Sequence, residues 1–161
     1  KLDLVCKKLN LKAGQKILDI GCGWGSFMKY AAEKYKVSCV GVTVSKEQVE
    51  LGKKLCKGLP IEFKLMDYRD LKKLEFKEKF NHVVSLGMFE HVGYKNYQTF
   101  MNVVNYVLKD EGLFLLHTIG GNFSNTKGDP RIVKYIFPNG MLPSIAQIGK
   151  SIERLFSLKK S

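Results

Sequence analysis

Two short stretches of this chain hold residue types that do chemistry. The first is Asp19-Ile20-Gly21-Cys22-Gly23-Trp24-Gly25. It closes a short apolar run, Lys16–Ile20, and opens a helical pattern. Gly21 permits a sharp turn, and Gly23 lets the main chain approach a ligand whose polar groups meet N–H groups at a helix N-terminus. That is the physics of a nucleotide-type turn, with Asp19 at its edge. The second stretch is split. Gly87-Met88-Phe89-Glu90-His91-Val92-Gly93 follows one apolar strand, and His117-Thr118 ends another. An acid beside a histidine relays a proton or holds a small oxyanion, so Glu90 and His117 are expected to face one crevice. His82, alone within its strand, reads as a satisfied polar residue.

Two cofactor classes use such a glycine turn. A dinucleotide site wants G-x-G-x-x-G and an acid at the end of the second strand. Here the spacing is G-x-G-x-G, and the second strand ends Gly41-Val42-Thr43-Val44-Ser45, with no acid. S-adenosylmethionine carries no phosphate and fits the turn better. Thr43, Ser45 or Gln48 would then hydrogen-bond its ribose or adenine, although Ser45 and Gln48 also form a capping box. Asp67-Tyr68, after the third strand, offers a carboxylate for the adenine amino group and a ring to stack on it.

The elements that must position these residues alternate between strand and helix. Trp24, Phe27, Met28, Ala31, Ala32 and Tyr35 recur at helical spacing, as one face of a helix. Ser38–Thr43 is a second strand, and Ser45-x-x-Gln48 caps a helix to about Lys57. Ile61, Phe63 and Leu65 alternate with polar neighbours, Asn81–Leu86 is a fourth strand, and Gly112–Thr118 is a fifth. Tyr97, Phe100, Met101, Val104 and Leu108 mark the helix between the last two. This order predicts an α/β fold with a doubly wound parallel sheet. Strand three alternates, so it is half-exposed and belongs at an edge. Right-handed crossovers then give the order 3-2-1-4-5. A long Gly- and Pro-rich segment follows Thr118, of a length typical of lids and binding loops. Ser144-x-x-Gln147 caps a last helix, with Ile145, Ile148, Ile152, Leu155 and Phe156 on its inner face.

Composition bounds the rest. The 161 residues suit one domain, and 45% apolar with 26% charged content is globular. No apolar run is long enough to span a bilayer. The start, Lys1-Leu2-Asp3-Leu4, is no signal peptide. It lacks an initiator Met, so the chain reads as a piece of a longer protein. Net charge is +12. This describes either a solvated surface or one that meets a polyanion, nucleic acid or anionic lipid. Lysines are spread along the chain, as Lys7, Lys8, Lys53, Lys54, Lys72, Lys73, Lys159 and Lys160. They are not interleaved with aromatics as in a nucleic-acid platform, so nucleic acid is not expected. Cys6, Cys22, Cys39 and Cys56 lack metal-ligand spacing. They read as reduced, mostly core thiols of a cytoplasmic protein, and no metal site is expected.

Six blocks together carry a family resemblance: LDIGCGWGS (18–26), GVTVSKEQ (41–48), DYRDL (67–71), SLGMFEHVG (85–93), LLHTIG (115–120) and YIFPNGMLPS (135–144). The chain resembles the cyclopropane-fatty-acid synthase and mycolic-acid methyltransferase family over nearly its whole length, and the phospholipid synthases most. The glycine turn is generic to methyltransferases; the last three blocks are specific. The resemblance implies methyl transfer from S-adenosylmethionine to a cis double bond of an unsaturated phospholipid acyl chain. It places cofactor contacts at Gly21, Cys22, Gly23, Thr43, Val44, Gln48, Asp67, Tyr68, Leu86 and Gly87. It also implies a bound bicarbonate ion as base, held here by Glu90, His117 and the main chain of Ile119. The family's other bicarbonate ligands, a Cys and a Tyr, and the last two strands of its seven-stranded sheet fall outside residues 1–161. The domain is accordingly expected to be partial and the isolated chain inactive.

An alkene is a weak nucleophile, so placing the sulfonium in line with it supplies most of the catalysis. The resulting carbocation needs an apolar pocket with aromatic faces, for which Phe89 and Phe137 are candidates. Glu90 beside bicarbonate implies a shared proton. A lipid substrate accounts for the basic surface, and implies a protein at the inner face of the membrane. An apolar edge on strand five would favour self-association. Two alternatives stay open: another methyltransferase, acting on a small molecule or nucleic acid, and a non-catalytic domain that keeps the fold.

Overall fold

The computed structural model describes residues 1–125 and 141–158. Phe137, most of the YIFPNGMLPS block, Lys159 and Lys160 therefore lie outside the described residues. The chain enters through α1 (Leu2–Lys8) and then alternates. In order come β1 (Lys16–Ile20), α2 (Ser26–Tyr35), β2 (Ser38–Thr43), α3 (Lys46–Leu55), β3 (Ile61–Leu65), β4 (Phe80–Leu86), α4 (Tyr97–Val107), β5 (Leu108–His117) and α5 (Ile145–Ile152). A 3-10 turn over Tyr68–Lys73 leads from β3 toward β4. The strands form one parallel sheet in the order β3-β2-β1-β4-β5, as expected from the sequence.

The period of two along each strand divides the core. Leu18 and Ile20 of β1, Val40 and Val42 of β2, and Val83 of β4 face one side, with α4 and α5. Ile17, Cys39 and Val84 face the other, with α1, α2 and α3. Covering both faces is what the apolar central strands require. β3 sits at an edge, and of its residues only Phe63 is buried. Phe63 reaches into the seam between α2 and α3, where a side chain at either Gly25 or Gly52 would lie 2.5 Å from its ring. On the opposite face Phe100 centres an aromatic cluster, edge-on to Tyr68 at 5.0 Å and to Phe89 at 5.2 Å.

Local details depart from the periodicity. α2 begins at Ser26, so Trp24 is off its inner face; it belongs to the turn and is 54% exposed. Ile145 is 88% exposed at the start of α5, whereas Ile148, Ile152, Leu155 and Phe156 do pack on the core. The last two lie just past the helix. The Ser144–Gln147 capping box is present. β5 reaches back to Leu108, with exposed Lys109, Asp110 and Glu111 forming an irregularity before regular pairing resumes at His82↔Leu113. The main-chain N–H of Leu113 donates to His82 Nδ1, which bridges that irregularity.

α1 has no strong signal in the sequence. It is pinned to α2 by Asp3, whose Oδ1 accepts from Tyr30, Tyr35 and Lys34 and whose Oδ2 pairs with Lys7. Lys7, with Lys34 and the two tyrosines, holds the Asp3 carboxyl below the usual carboxylate range. All four cysteines are buried. Burial pushes the Cys6 thiol up to about 11 and those of Cys22 and Cys39 higher still.

Candidate active site

The sheet order brings the chemistry-bearing residues to one edge. Strand ends in the order β3-β2-β1-β4-β5 carry, in turn, Asp67 and Tyr68; Thr43 to Gln48; Asp19 to Gly23; Leu86 to Glu90; and His117 to Ile119. The two stretches picked out in the sequence are therefore neighbours, at the carboxyl edge where open α/β sheets bind ligands.

The glycine turn is held from below. The N–H groups of Gly21 and Cys22 both donate to the Val42 carbonyl, at 2.9 and 3.2 Å. Gly21 has φ +80°, and a Cβ there would lie 2.6 Å from Met88 Cβ, so Gly21 is needed for packing. Gly23 differs. Its φ is +54°, yet a Cβ would meet no protein atom within 4 Å. Its free side is open, as a ligand cradle requires. Cys22 turns its thiol into the core against Gly41, and its carbonyl accepts from Gly25 N–H, so its polar main chain is committed to the turn.

Asp19 is 2% exposed, and its Oδ1 has no hydrogen-bond partner among the described residues. Burial pushes its carboxyl up to about 7, from an ordinary 3.8. Between these values the unfolded chain loses a proton that the folded chain keeps, so stability falls as pH rises from about 4 to about 7. The full effect is about 4 kcal/mol. Asp19→Asn keeps the volume and removes the charge. Urea unfolding of the unliganded protein is expected to show the variant free of this loss and more stable than the parent above neutral pH. An identical pH dependence in the two proteins would contradict it.

At the end of β2, Thr43, Ser45 and Gln48 form a closed set. Thr43 Oγ1 donates to Gln48 Oε1 at 2.7 Å and accepts from Ser45 N–H, while Ser45 Oγ accepts from Gln48 N–H. Half of the expected capping box thus forms, and the Gln48 side chain turns to Thr43 instead. Val44 stands outward, 75% exposed. At the end of β3, Arg69 forks onto the Asp67 carboxylate at 2.9 and 2.7 Å. This guanidinium holds the Asp67 carboxyl below its ordinary range, so at neutral pH it is a pure acceptor. The Tyr68 ring is half-buried and edge-on to Phe100. Leu86 is half-buried; Gly87 is exposed, and its N–H donates to the His117 carbonyl at 2.8 Å.

Glu90 lies at the centre of the second stretch. It is 1% exposed. Its Oε1 accepts from the Ile119 N–H at 2.6 Å, and its carbonyl accepts from Met141 N–H at 2.8 Å. Its Oε2 is buried without a hydrogen-bond partner among the described residues. Gly121 N–H donates to the Pro143 carbonyl, so the described ends of the long segment after β5 meet beside Glu90. The His117 side chain is exposed at the end of β5, one strand over, paired in register with Leu86. Ile119 is 52% exposed, but its N–H is already engaged by Glu90. Phe89 is the departure. It is fully buried, stacked on Tyr97 at 4.5 Å, and so faces the core rather than the crevice.

Two polar groups escaped the sequence. Arg69 gives no motif for its fork on Asp67. Tyr97, whose buried hydroxyl has no partner among the described residues, counts in the helical pattern only as an apolar marker.

Residues 1–159 match the family model described as mycolic acid cyclopropane synthetase. The cyclopropane-fatty-acyl-phospholipid synthase of Escherichia coli is 52% identical over 159 residues, covering 99% of this chain and 40% of that protein. Cyclopropane mycolic acid synthase 1 of Mycobacterium tuberculosis is 36% identical, over 92% of this chain and 56% of its own. Among solved structures, a mycolic acid cyclopropane synthase complexed with SAH and CTAB superposes with TM-score 0.83 and 33% identity, over 99% of this chain and 60% of that one. The chain thus spans only two fifths of the length of the E. coli relative. A match of this extent, to the family model and to relatives with the same sheet, makes the chain a member of the mycolic acid cyclopropane synthetase family.

Proposed function

We propose that the protein carrying this chain adds a methylene group from S-adenosylmethionine across the cis double bond of an unsaturated phospholipid acyl chain, forming a cyclopropane ring. The observation that carries this reading is the placing of a buried acid, Glu90, on Ile119 N–H one strand away from an open glycine cradle. The E. coli relative's name supplies the substrate class.

S-adenosylmethionine, when bound, supplies the methyl carbon. The residues that would hold it are Gly23, through its open side, Asp67, whose carboxylate would accept from the adenine amino group, and Thr43 with Gln48, which would face its hydroxyls. Asp19, Gly21, Cys22, Val44, Ser45, Tyr68, Leu86 and Gly87 complete the walls. Bicarbonate, when bound, supplies the base; Glu90, His117 and the Ile119 main chain are the groups that would hold it. The residues suit a small anion that carries one proton. His117 would offer a donor from the exposed end of β5, the Ile119 N–H would have to exchange its present bond to Glu90 Oε1 for one to the anion, and Glu90 Oε2 is an acceptor without a partner among the described residues. Phe89 acts by packing behind Glu90, since its ring is buried.

Incubating the full-length protein with methyl-labelled S-adenosylmethionine and vesicles of unsaturated phospholipid tests the reaction. Label is expected in the lipid; label only in protein or nucleic acid would refute it. A net charge of +12 supports peripheral attachment to an anionic membrane. No helix among the described residues is long and apolar enough to cross one. The full-length protein is expected to cosediment with anionic vesicles and to release as salt rises, since exposed charges are screened within about 10 Å at 0.1 M. Equal binding to neutral vesicles at every salt concentration would contradict this.

A further inference from the structure

We propose that Lys16, Lys64 and Lys79 form a binding site for a phosphate group, separate from the carboxyl edge of the sheet. The three lysines line one open cleft of about 420 Å³, together with Leu74, Glu75 and Phe76. That volume suits a small ligand. Lys16 opens β1, Lys64 lies on β3, and Lys79 precedes β4. Lys16 and Lys79 thus stand at the amino ends of their strands, whereas the glycine turn and Glu90 follow carboxyl ends. Two aromatic rings hold the ammonium groups. Lys16 Nζ lies 5.5 Å from the centre of the Phe80 ring, and Lys64 Nζ lies 5.6 Å from that of Phe76. The two rings are edge-to-face at 5.3 Å. Both lysines therefore rest on one small aromatic cluster, where cation–π attraction restrains them. The main chain around them is tied as well. Lys16 N–H donates to Asn81 Oδ1 at 2.8 Å, which joins the starts of β1 and β4. The N–H groups of Glu78 and Lys79 donate to the Tyr106 and Val107 carbonyls, both at 3.0 Å, which fixes the loop before β4 to the end of α4.

Charge selects the ligand. Lys64 is ion-paired with Glu62, but Lys16 and Lys79 have no ion pair among the described residues. Glu75, a carboxylate of the lining, is exposed. Two unpaired ammonium groups match the charge of a phosphate monoester, about −1.5 to −2 near neutral pH. Lysine acts as a point charge without the fork of arginine, which suits the spread oxygens of a phosphate better than a planar carboxylate. Leu74 and Phe76 give the cleft an apolar side that accommodates the carbon of an ester. Nucleic acid does not fit. Its bases need open ring faces to stack on, but Phe80 is fully buried and Lys64 lies over Phe76. A phospholipid headgroup and a free phosphorylated compound offer the same phosphate chemistry, and the two sources are separable by experiment.

The test compares two double variants of the full-length protein that lose the same charge. Lys16→Gln with Lys79→Gln strips the cleft, and Lys53→Gln with Lys54→Gln strips exposed lysines on α3. Calorimetry at low salt with millimolar inorganic phosphate is expected to show binding by the parent. The cleft variant should bind about tenfold more weakly or worse, since each lysine near an anion contributes on the order of 1 kcal/mol, and the α3 variant should match the parent. Glu75→Gln keeps every lysine and removes a like charge from the ligand, so it should bind phosphate more tightly than the parent. Cosedimentation with vesicles of phosphatidylglycerol in phosphatidylcholine then identifies the source. Release of the cleft variant at lower salt than the α3 variant assigns the site to a lipid headgroup; equal release of the two assigns it to a free phosphorylated compound. Both measurements run without S-adenosylmethionine, so their outcome is separate from that of the reaction assigned above. A parent that binds no phosphate, or two double variants that weaken phosphate binding equally, overturns the proposal.

Discussion

Glu90→Gln in the full-length protein is expected to lower turnover by about 10²-fold or more, the scale of a lost acid–base group. The substitution is a mild one for the fold. Glutamine keeps an acceptor oxygen for the Ile119 N–H, which Glu90 Oε1 now receives at 2.6 Å, and it fills the same 1% exposed site. What it removes is the charge and the ability to share a proton. His117→Ala is expected to lose activity on the same scale, and its exposed side chain makes it still less disruptive to the core. Neither residue is among those assigned to the cofactor, so S-adenosylmethionine affinity, read by calorimetry, should stay near that of the parent. Parallel loss of binding and turnover would show that the pair supports the fold rather than the reaction.

Gly23→Val is expected to abolish cofactor binding. No protein atom lies within 4 Å of a Cβ at this position, so the branched side chain clashes with nothing in the unliganded protein. It occupies instead the space a ligand must enter. The positive φ, +54°, adds a strain of roughly 1–2 kcal/mol, which lowers the unfolding midpoint without preventing folding. Gly21 makes the control. A side chain there meets Met88 at 2.6 Å, so Gly21→Ala is expected to damage stability first and binding only as a consequence. A folded Gly23→Val protein with normal calorimetric binding would move the cofactor away from this turn.

These two glycines mark where the sequence stops being informative. Their spacing and context announce a turn after β1, but only the surroundings assign packing to one and an open cradle to the other. The sheet itself was legible because each strand carries its burial in its pattern. β3 alternates and lies at an edge, while β1, β2 and β4 are apolar and central. β5 stands at the other end of the order within residues 1–161. Leu113–Leu116 is as apolar as a central strand, yet it lies at an edge and is half-buried. Trp24 fits helical spacing and still falls outside α2, because Gly25 in a left-handed conformation caps the helix one residue later. Glu90 stood out by its residue type beside a strand end. The Ile119 N–H that holds it carries no side-chain signal, so it came into view only through the family resemblance.

The most direct measurement is mass spectrometry of phospholipids from cells that express the full-length protein, set against cells that express its Glu90→Gln variant. With the parent protein, unsaturated acyl chains should gain one CH₂ and lose their double bond, and S-adenosylmethionine labelled in its methyl carbon should deliver that carbon to the ring. With the variant, the unsaturated chains should stay as they are. Unaltered lipids with both proteins, or an added methyl group that leaves the double bond in place, would contradict cyclopropanation at this site.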